Sequence, residues 1–403
     1  MPRTSTLQRL TGLTVAALVL VLNTATAQVR VVPPHILDTI FDDEPPTPRS
    51  MTAAESQRWV TPDLSERGVA PSGAIDTPSE YAPNDGLFLR WGSFNSVVTE
   101  ITVAVTTQTS DARVFLIVAG PAQESSARST LSGAGADLSR VEFMQLPSDT
   151  VWIRDYGPRT LFVDAARSLM DHIYNRPRPN DDQVPSGIAG VTGETLFELP
   201  LVHGGGNFHL FDNGEAFMSE LIVDENPDVS AQDVEDYYAE YHDLDLTILD
   251  PLPAGFDSTQ HLDMWFLPVD DETVIIGEYD PMEAGGVPHQ VSEAGASLMA
   301  KRGYTVLRTP GWGAGAHYTY TNSVIVNEAV LVCQFDGYAS ENAQAVAVFE
   351  QAFPDKTIVG IDCSNIINSA GAIHCIVMHY AARPDLMFRD RFESQADSEK
   401  AGS

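Results

Sequence analysis

Between Asn322 and Ile361 the chain spells out one structural unit in full. Ser323 to Val326 is apolar and β-branched, Asn327-Glu328 offers a turn, and Val330 to Phe335 reads as a second strand. Glu341 to Phe353 then sets Ala345, Val348, Phe349 and Ala352 at helical spacing. Pro354-Asp355 stops that helix and Thr357 to Ile361 forms a third strand, so the order is ββαβ. Looser copies recur. Val97 to Thr106, Ala122 to Leu131 and Val141 to Leu146 read as strand, helix and strand. Thr273 to Gly277, Val291 to Arg302 and Tyr304 to Arg308 repeat the alternation. Leu196 to Val202 and Glu215 to Ile222 look like a hairpin around His203-Gly204-Gly205-Gly206-Asn207. Motif-bearing segments follow at intervals of roughly 50 residues, which suggests an α/β chain of repeated units closing into a ring. A doubly wound sheet is the alternative. No Gly-x-Gly-x-x-Gly or Gly-Lys-Ser/Thr run follows an expected strand, so a nucleotide cofactor lacks support.

The ends have a different character. Arg3 and Arg9, an apolar run from Leu13 to Leu22 and the small-residue pattern Ala25-Thr26-Ala27 predict a signal peptide over residues 1–27, with the mature chain starting near Gln28. The apolar run is far short of the roughly 20 residues that span a bilayer, so no membrane association is expected after cleavage. A secreted or periplasmic protein is the expectation. Residues 28–87 are rich in Pro, Ser, Thr, Asp and Glu and read as an extended or partly ordered lead-in. The body, residues 88–392, is long enough for one large domain, and residues 393–403 form a polar tail. Acidic residues outnumber basic ones 56 to 23, for a formal charge of −33, which disfavours nucleic acid as a partner. The same surface would gather cationic substrates, or serve solubility alone.

Three cysteines in an exported chain leave at least one unpaired within the molecule. Cys333 lies within the buried strand Val330 to Phe335 and reads by default as a core thiol; Cys363 ends another apolar strand, and the sequence allows a bridge between the two without supporting one. Cys375 stands apart, behind the small residues of Ala370-Gly371-Ala372-Ile373-His374. His261 and Asp263 are two apart in an extended segment and so share a face. Asp155, in Trp152-Ile153-Arg154-Asp155-Tyr156-Gly157-Pro158, lies near a strand end. No His-Glu-x-x-His or paired-cysteine spacing exists, and no metal is expected. A thiol, a His and two Asp suit a guanidinium substrate. Two carboxylates hold its nitrogens bidentately and present its carbon to a thiolate. Histidine protonates the departing ammonia and later activates water to cleave the thiouronium. These roles need no organic cofactor.

With those residues in view, the chain resembles the Porphyromonas-type peptidylarginine deiminase and agmatine deiminase family. The segments that carry the resemblance are Trp152 to Pro158, Gly205-Gly206-Asn207, His261 to Trp265, Tyr320-Thr321-Asn322 and Ala372 to Cys375, in the family's order. The resemblance implies a five-fold pseudosymmetric β/α propeller, the pentein fold. It implies Cys375 as nucleophile, His261 as acid–base group, Asp155 and Asp263 as guanidinium holders, and Asn322 beside the nucleophile. Trp152, Gly205 and Gly206 are expected to line the substrate.

The run Tyr174-Asn175-Arg176-Pro177-Arg178-Pro179-Asn180 resembles the peptidylarginine branch, whose two arginines are thought to grip the α-carboxylate of a terminal arginine. Agmatine deiminases typically carry Glu before the paired glycines, where this chain has Gly204. The expectation is therefore a protein-arginine deiminase acting on arginine-containing peptides, preferably at a C-terminal arginine, giving citrulline and ammonia. Its alternatives are agmatine or free-arginine deimination by the same chemistry and, from another class, a silent binder of cationic peptides. A papain-like hydrolase lacks its Cys-before-His order here.

Overall fold

The computed structural model describes residues 32–383, apart from 61, 63 and 65–67; the expected signal peptide and the polar tail lie outside the described residues. No helix among the described residues is long and apolar enough to cross a membrane.

The unit read between Asn322 and Ile361 forms as written. Val324–Val326 pairs antiparallel with Ala329–Gln334, the helix Ala339–Ala352 follows, and Thr357–Asp362 returns parallel to Ala329–Gln334. Asn327 takes a left-handed conformation, φ 46°, which an Asn tolerates in a two-residue turn. Three further sheets repeat this pattern of antiparallel pair, helix and parallel return. They are Arg159–Val163 and Ala166–Tyr174 with Thr195–His203, Phe208–Leu210 and Glu215–Ser219 with Asp245–Leu249, and Phe266–Asp270 and Thr273–Glu278 with Thr305–Gly313. The fifth sheet draws on both ends of the body. Asn84–Arg90 pairs parallel with Arg113–Val118, which pairs parallel with Val141–Gln145, and its antiparallel partner is Met378–Ala381. The body is thus five mixed sheets, four of them built on one ββαβ order and the fifth closed by the last strand pairing with Asn84–Arg90. The inner strands Leu87–Leu89, Val114–Val118 and Val330–Cys333 are apolar without alternation and almost fully buried, as strands covered on both faces must be.

Three expectations change. Val97 to Thr106 is not a strand but part of the helix Asn95–Gln108. Val97, Val98, Ile101, Ala104 and Val105 are buried along one stripe, and that burial overrides the β-branched composition. The hydroxyls of Thr99, Thr102, Thr106 and Thr107 each donate to the carbonyl four residues back, at 2.7 Å. Leu196 to Val202 and Glu215 to Ile222 do not make a hairpin, because the first pairs parallel with Ala166–Tyr174 and the second belongs to the next sheet. The boundary expected near Phe88 falls inside the strand Asn84–Arg90, and much of the lead-in is packed against the body.

Cys333 and Cys363 form a disulfide across the parallel strands, Cα to Cα 5.4 Å, and Cys375 is a free, buried thiol. The bridge spans a sequence separation of 30, for which chain entropy implies about 3–4 kcal/mol of stabilisation.

Helix Asn95–Gln108 also buries a carboxyl. Burial pushes Glu100 up to about 8, against a hydrogen bond that it accepts from the Asp362 amide. Its folded value is raised, so between pH 4.5 and about 8 the folded protein keeps a proton that the unfolded chain has lost. Stability therefore falls with rising pH across that window, by about 1.4 kcal/mol per pH unit from this group. Glu100→Gln is expected to flatten the decline, seen as a smaller drop in urea midpoint between the two ends of the window.

Candidate active site

The connections between consecutive sheets carry the expected site residues. Asp155 lies in the turn Ile153–Tyr156, Gly205 and Gly206 in the turn Gly205–Asn207, and Asp263 in Leu262–Met264 with His261 just before it. Asn322 precedes Val324–Val326, and Cys375 is in the turn His374–Ile376, just ahead of Met378–Ala381. Hydrogen bonds join the five connections in a closed circuit. The Gly206 amide donates to Asp155 Oδ1 at 3.3 Å, and the Leu262 amide to Asn207 Oδ1 at 3.2 Å. Asn322 Nδ2 donates to the Asp263 carbonyl at 3.4 Å, the His374 amide to Asn322 Oδ1 at 3.0 Å, and Arg154 Nε to the His374 carbonyl at 3.3 Å. Asn322 Nδ2 also lies 3.2 Å from Cys375 Sγ.

At the centre of this circuit is a guanidinium from the chain itself. Arg49, a residue of the lead-in, reaches 0% exposure inside the pocket. Its Nε and Nη2 donate to the two oxygens of Asp155, both at 2.7 Å. Nη1 and Nη2 donate to Asp263 at 3.2 and 3.1 Å. Nη2 is 2.6 Å from His261 Nδ1, and Nη1 is 2.6 Å from Cys375 Sγ. Gly206 is required by this approach, because a Cβ there would lie 2.0 Å from Arg49 Nη2. At Gly204 a Cβ would lie 2.5 Å from His261 Cε1, so the histidine occupies the space that a side chain would need.

The charges follow from that contact. Burial would push the Asp155 carboxyl up, yet the Arg49 guanidinium and His261 hold it well below the ordinary range. Asp263, equally buried, is lowered by Arg49 and by His374. Burial pushes the Cys375 thiol well up, and the Arg49 cation opposes that rise while the two aspartates add to it. A buried thiol beside two carboxylates needs a cation before it can hold a negative charge.

Arg176 and Arg178 are buried and face the lead-in. Arg176 Nε donates to the Arg49 carbonyl at 3.2 Å, and Arg178 Nη2 to the Pro48 carbonyl at 2.8 Å. Arg178 also pairs with Glu55 at 2.7 Å. Trp152 Nε1 donates to the Thr47 carbonyl at 2.8 Å.

Sequence reasoning missed Arg49, Glu80 and His374. His374 links Asp263 Oδ2, 3.0 Å from Nδ1, to Glu80 Oε2, 2.7 Å from Nε2, and Arg154 pairs with Glu80 at 2.6 Å. Glu80, His209 and His374 are the one group among the described residues whose ligand atoms converge as a metal would need. Arg154 already engages that carboxylate, so the cluster is occupied by its own ion pairs. His374 stood next to Cys375 in a matched segment, which is a signal; Arg49 had none.

The model of Porphyromonas-type peptidyl-arginine deiminases matches residues 76–380. A relative named "Putative agmatine deiminase", from Streptomyces coelicolor, is 26% identical over 343 residues, 74% of this chain and 96% of its own length. The solved "Putative Arginine Deiminase" of Porphyromonas gingivalis superposes with TM-score 0.67 at 22% identity, covering 76% of this chain and 98% of that one. A Cys-to-Ser variant of the C. jejuni agmatine deiminase with substrate bound gives TM-score 0.68 at 18% identity, covering 79% and 100%. At such identities the structural likeness establishes the α/β fold.

Removing the carboxylate behind His374 tests the ion-pair network. Burial works against Glu80, but Arg154 and His374 hold it well below the ordinary range, so its contribution is present at neutral pH and lost in acid. Glu80→Ala leaves Arg154 buried without that partner and is expected to cost about 3–5 kcal/mol, read as a lower urea midpoint.

Proposed function

Because this chain belongs to the Porphyromonas-type peptidyl-arginine deiminase family, we propose that it hydrolyses the guanidinium of peptide-borne arginine to the ureido group of citrulline, releasing ammonia. The observation that carries this reading is the seating of Arg49. A peptidyl guanidinium contacts Asp155, Asp263, His261 and Cys375 at once. In this reading Asp155 and Asp263 fix the planar cation, and Cys375 attacks its carbon as the thiolate that the substrate's own charge favours. His261 protonates the nitrogen it touches, which leaves as ammonia, and then activates the water that cleaves the thiouronium. Asn322 orients the sulfur. His374 and Glu80 position Asp263, and Trp152, Gly205 and Gly206 shape the wall. The closed hydrogen-bond circuit among five connections supports arrangement of the five sheets as a pentein propeller.

Two observations favour peptide over agmatine. Arg176 donates to the carbonyl of the bound arginine, a group that agmatine lacks. Position 204 has no room for a side chain beside His261. The chain continues from Arg49 through Ser50 to Thr52, which favours arginine within a peptide and gives no support to a requirement for a terminal carboxylate. Agmatine remains the second reading, favoured by the names of relatives at 23–26% identity. Export is also proposed, supported by the leader sequence and by the Cys333–Cys363 disulfide, a bond of oxidising compartments.

Ammonia release from an arginine peptide with a free C-terminus, from its amide and from agmatine, with citrulline the product of the peptides and N-carbamoylputrescine that of agmatine, separates these readings. Both peptides are expected to turn over faster than agmatine. Arg176→Ala should lower the peptide-to-agmatine ratio of kcat/KM on the order of tenfold or more. Turnover of agmatine alone would assign the chain to agmatine, and a ratio unchanged by Arg176→Ala would remove Arg176 from peptide recognition.

A further inference from the structure

Residues 41–59 cross the mouth of the pocket as a strap, and the strap is built like a substrate. Arg49 and Glu55 are its two buried residues; the others are half-buried or exposed. The guanidinium occupies the catalytic pocket, while the Glu55 carboxylate pairs with Arg178, the residue expected to hold a carboxylate. Backbone contacts align the segment. The Arg49 amide donates to the Ser369 carbonyl at 2.9 Å, and the Glu44 amide to the Gly92 carbonyl at 2.9 Å. Glu44 also pairs with Arg90 at 2.7 Å. Thr52 and Glu55 cap a one-turn helix that aims Glu55 inward.

The strap displaces no reacting group: both carboxylates, the histidine and the thiol are all in contact with the guanidinium. We infer that Arg49 is a modification site of the chain's own active site, deiminated in cis, and that its conversion releases the strap.

The step rests on the deiminase reading and balances as follows. Cys375 Sγ bonds to Arg49 Cζ, and the displaced π electrons move to nitrogen. Nη2 takes the proton carried by His261, the Cζ–Nη2 bond breaks, and ammonia leaves. Water, losing a proton to His261, adds to the same carbon. The C–S bond then breaks as the adduct's hydroxyl proton passes to the released ammonia, which restores the thiolate and leaves citrulline at position 49. One water is consumed and one ammonium released, with no oxidant or reductant. The product is uncharged, so Asp155 and Asp263 lose their counter-ion and the strap is held by its backbone bonds and the Glu44 and Glu55 pairs alone. While Arg49 is intact, a tethered arginine presents an effective concentration on the order of millimolar, which excludes weaker external substrates.

The test is peptide mass mapping of the purified protein and of Cys375→Ser, with citrulline assay of Arg49→Gln on an arginine peptide in parallel. Near-complete citrulline at position 49 in the protein, and arginine there in Cys375→Ser, is the expected result. In a cell-free synthesis the conversion should proceed at a rate unchanged by dilution, as a reaction in cis requires. Intact Arg49 in the protein, while Arg49→Gln makes citrulline from the peptide, would overturn the self-modification and leave the deiminase reading standing. Conversion in both the protein and Cys375→Ser would overturn it too, since another agent would be responsible. No citrulline from any form would remove the peptidyl-arginine reading on which the inference rests.

Discussion

Two carboxylates and a thiol share a pocket that is closed to solvent, and that arrangement dictates much of what surrounds it. Asp155 and Asp263 are at most 1% exposed, and buried like charges sharing one pocket repel unless a cation lies between them. The structure answers in two layers. In front, a planar guanidinium takes both carboxylates at hydrogen-bond distance. Behind, His374 joins Asp263 to Glu80, and Glu80 is in turn balanced by Arg154. A point-like ammonium would satisfy the charge but not the four oxygens, so the geometry selects for the shape of the cation as well as its sign.

What could be read from the sequence divides along physical lines. Asp155, His261, Asp263, Asn322 and Cys375 stand in short rigid connections whose glycines, turns and apolar flanks mark them locally, and the structure places all five in one pocket. The unit from Asn322 to Ile361 was legible because its turn, helix spacing and helix stop agree. Helix Asn95–Gln108 was misread because Val and Thr favour strands, although its buried residues do recur at helical spacing. Arg49 was invisible for a different reason. It lies in a Pro- and acid-rich run with no periodicity, and its meaning depends wholly on contacts with Asp155, Asp263 and Cys375, which are more than a hundred positions away. The roles of Arg176 and Arg178 were half legible: their stiff, prolyl backbone suggested a clamp, but what they grip is lead-in backbone and Glu55.

The glycines of the second connection show how little space the pocket leaves. Gly205 packs where a Cβ would lie 2.3 Å from the Arg154 carbonyl, while Gly206 faces the guanidinium and Gly204 faces His261. Three consecutive residues therefore face three different constraints, and each excludes a side chain for its own steric reason.

The strand Met378–Ala381 completes the sheet begun by Asn84–Arg90, pairing Met378 with Phe88 across nearly the whole body. Cys375 lies immediately before that strand. Synthesis runs from the N-terminus, so the thiol emerges after every other member of its pocket. It can reach them only when the last strand docks on the first. A nascent chain thus carries the guanidinium-holding carboxylates and the histidine without the sulfur, however long translation takes. Such a long-range closure is slow compared with local pairing. The topology therefore sets the earliest moment at which the pocket can be complete, and makes its completion a report that the body has closed.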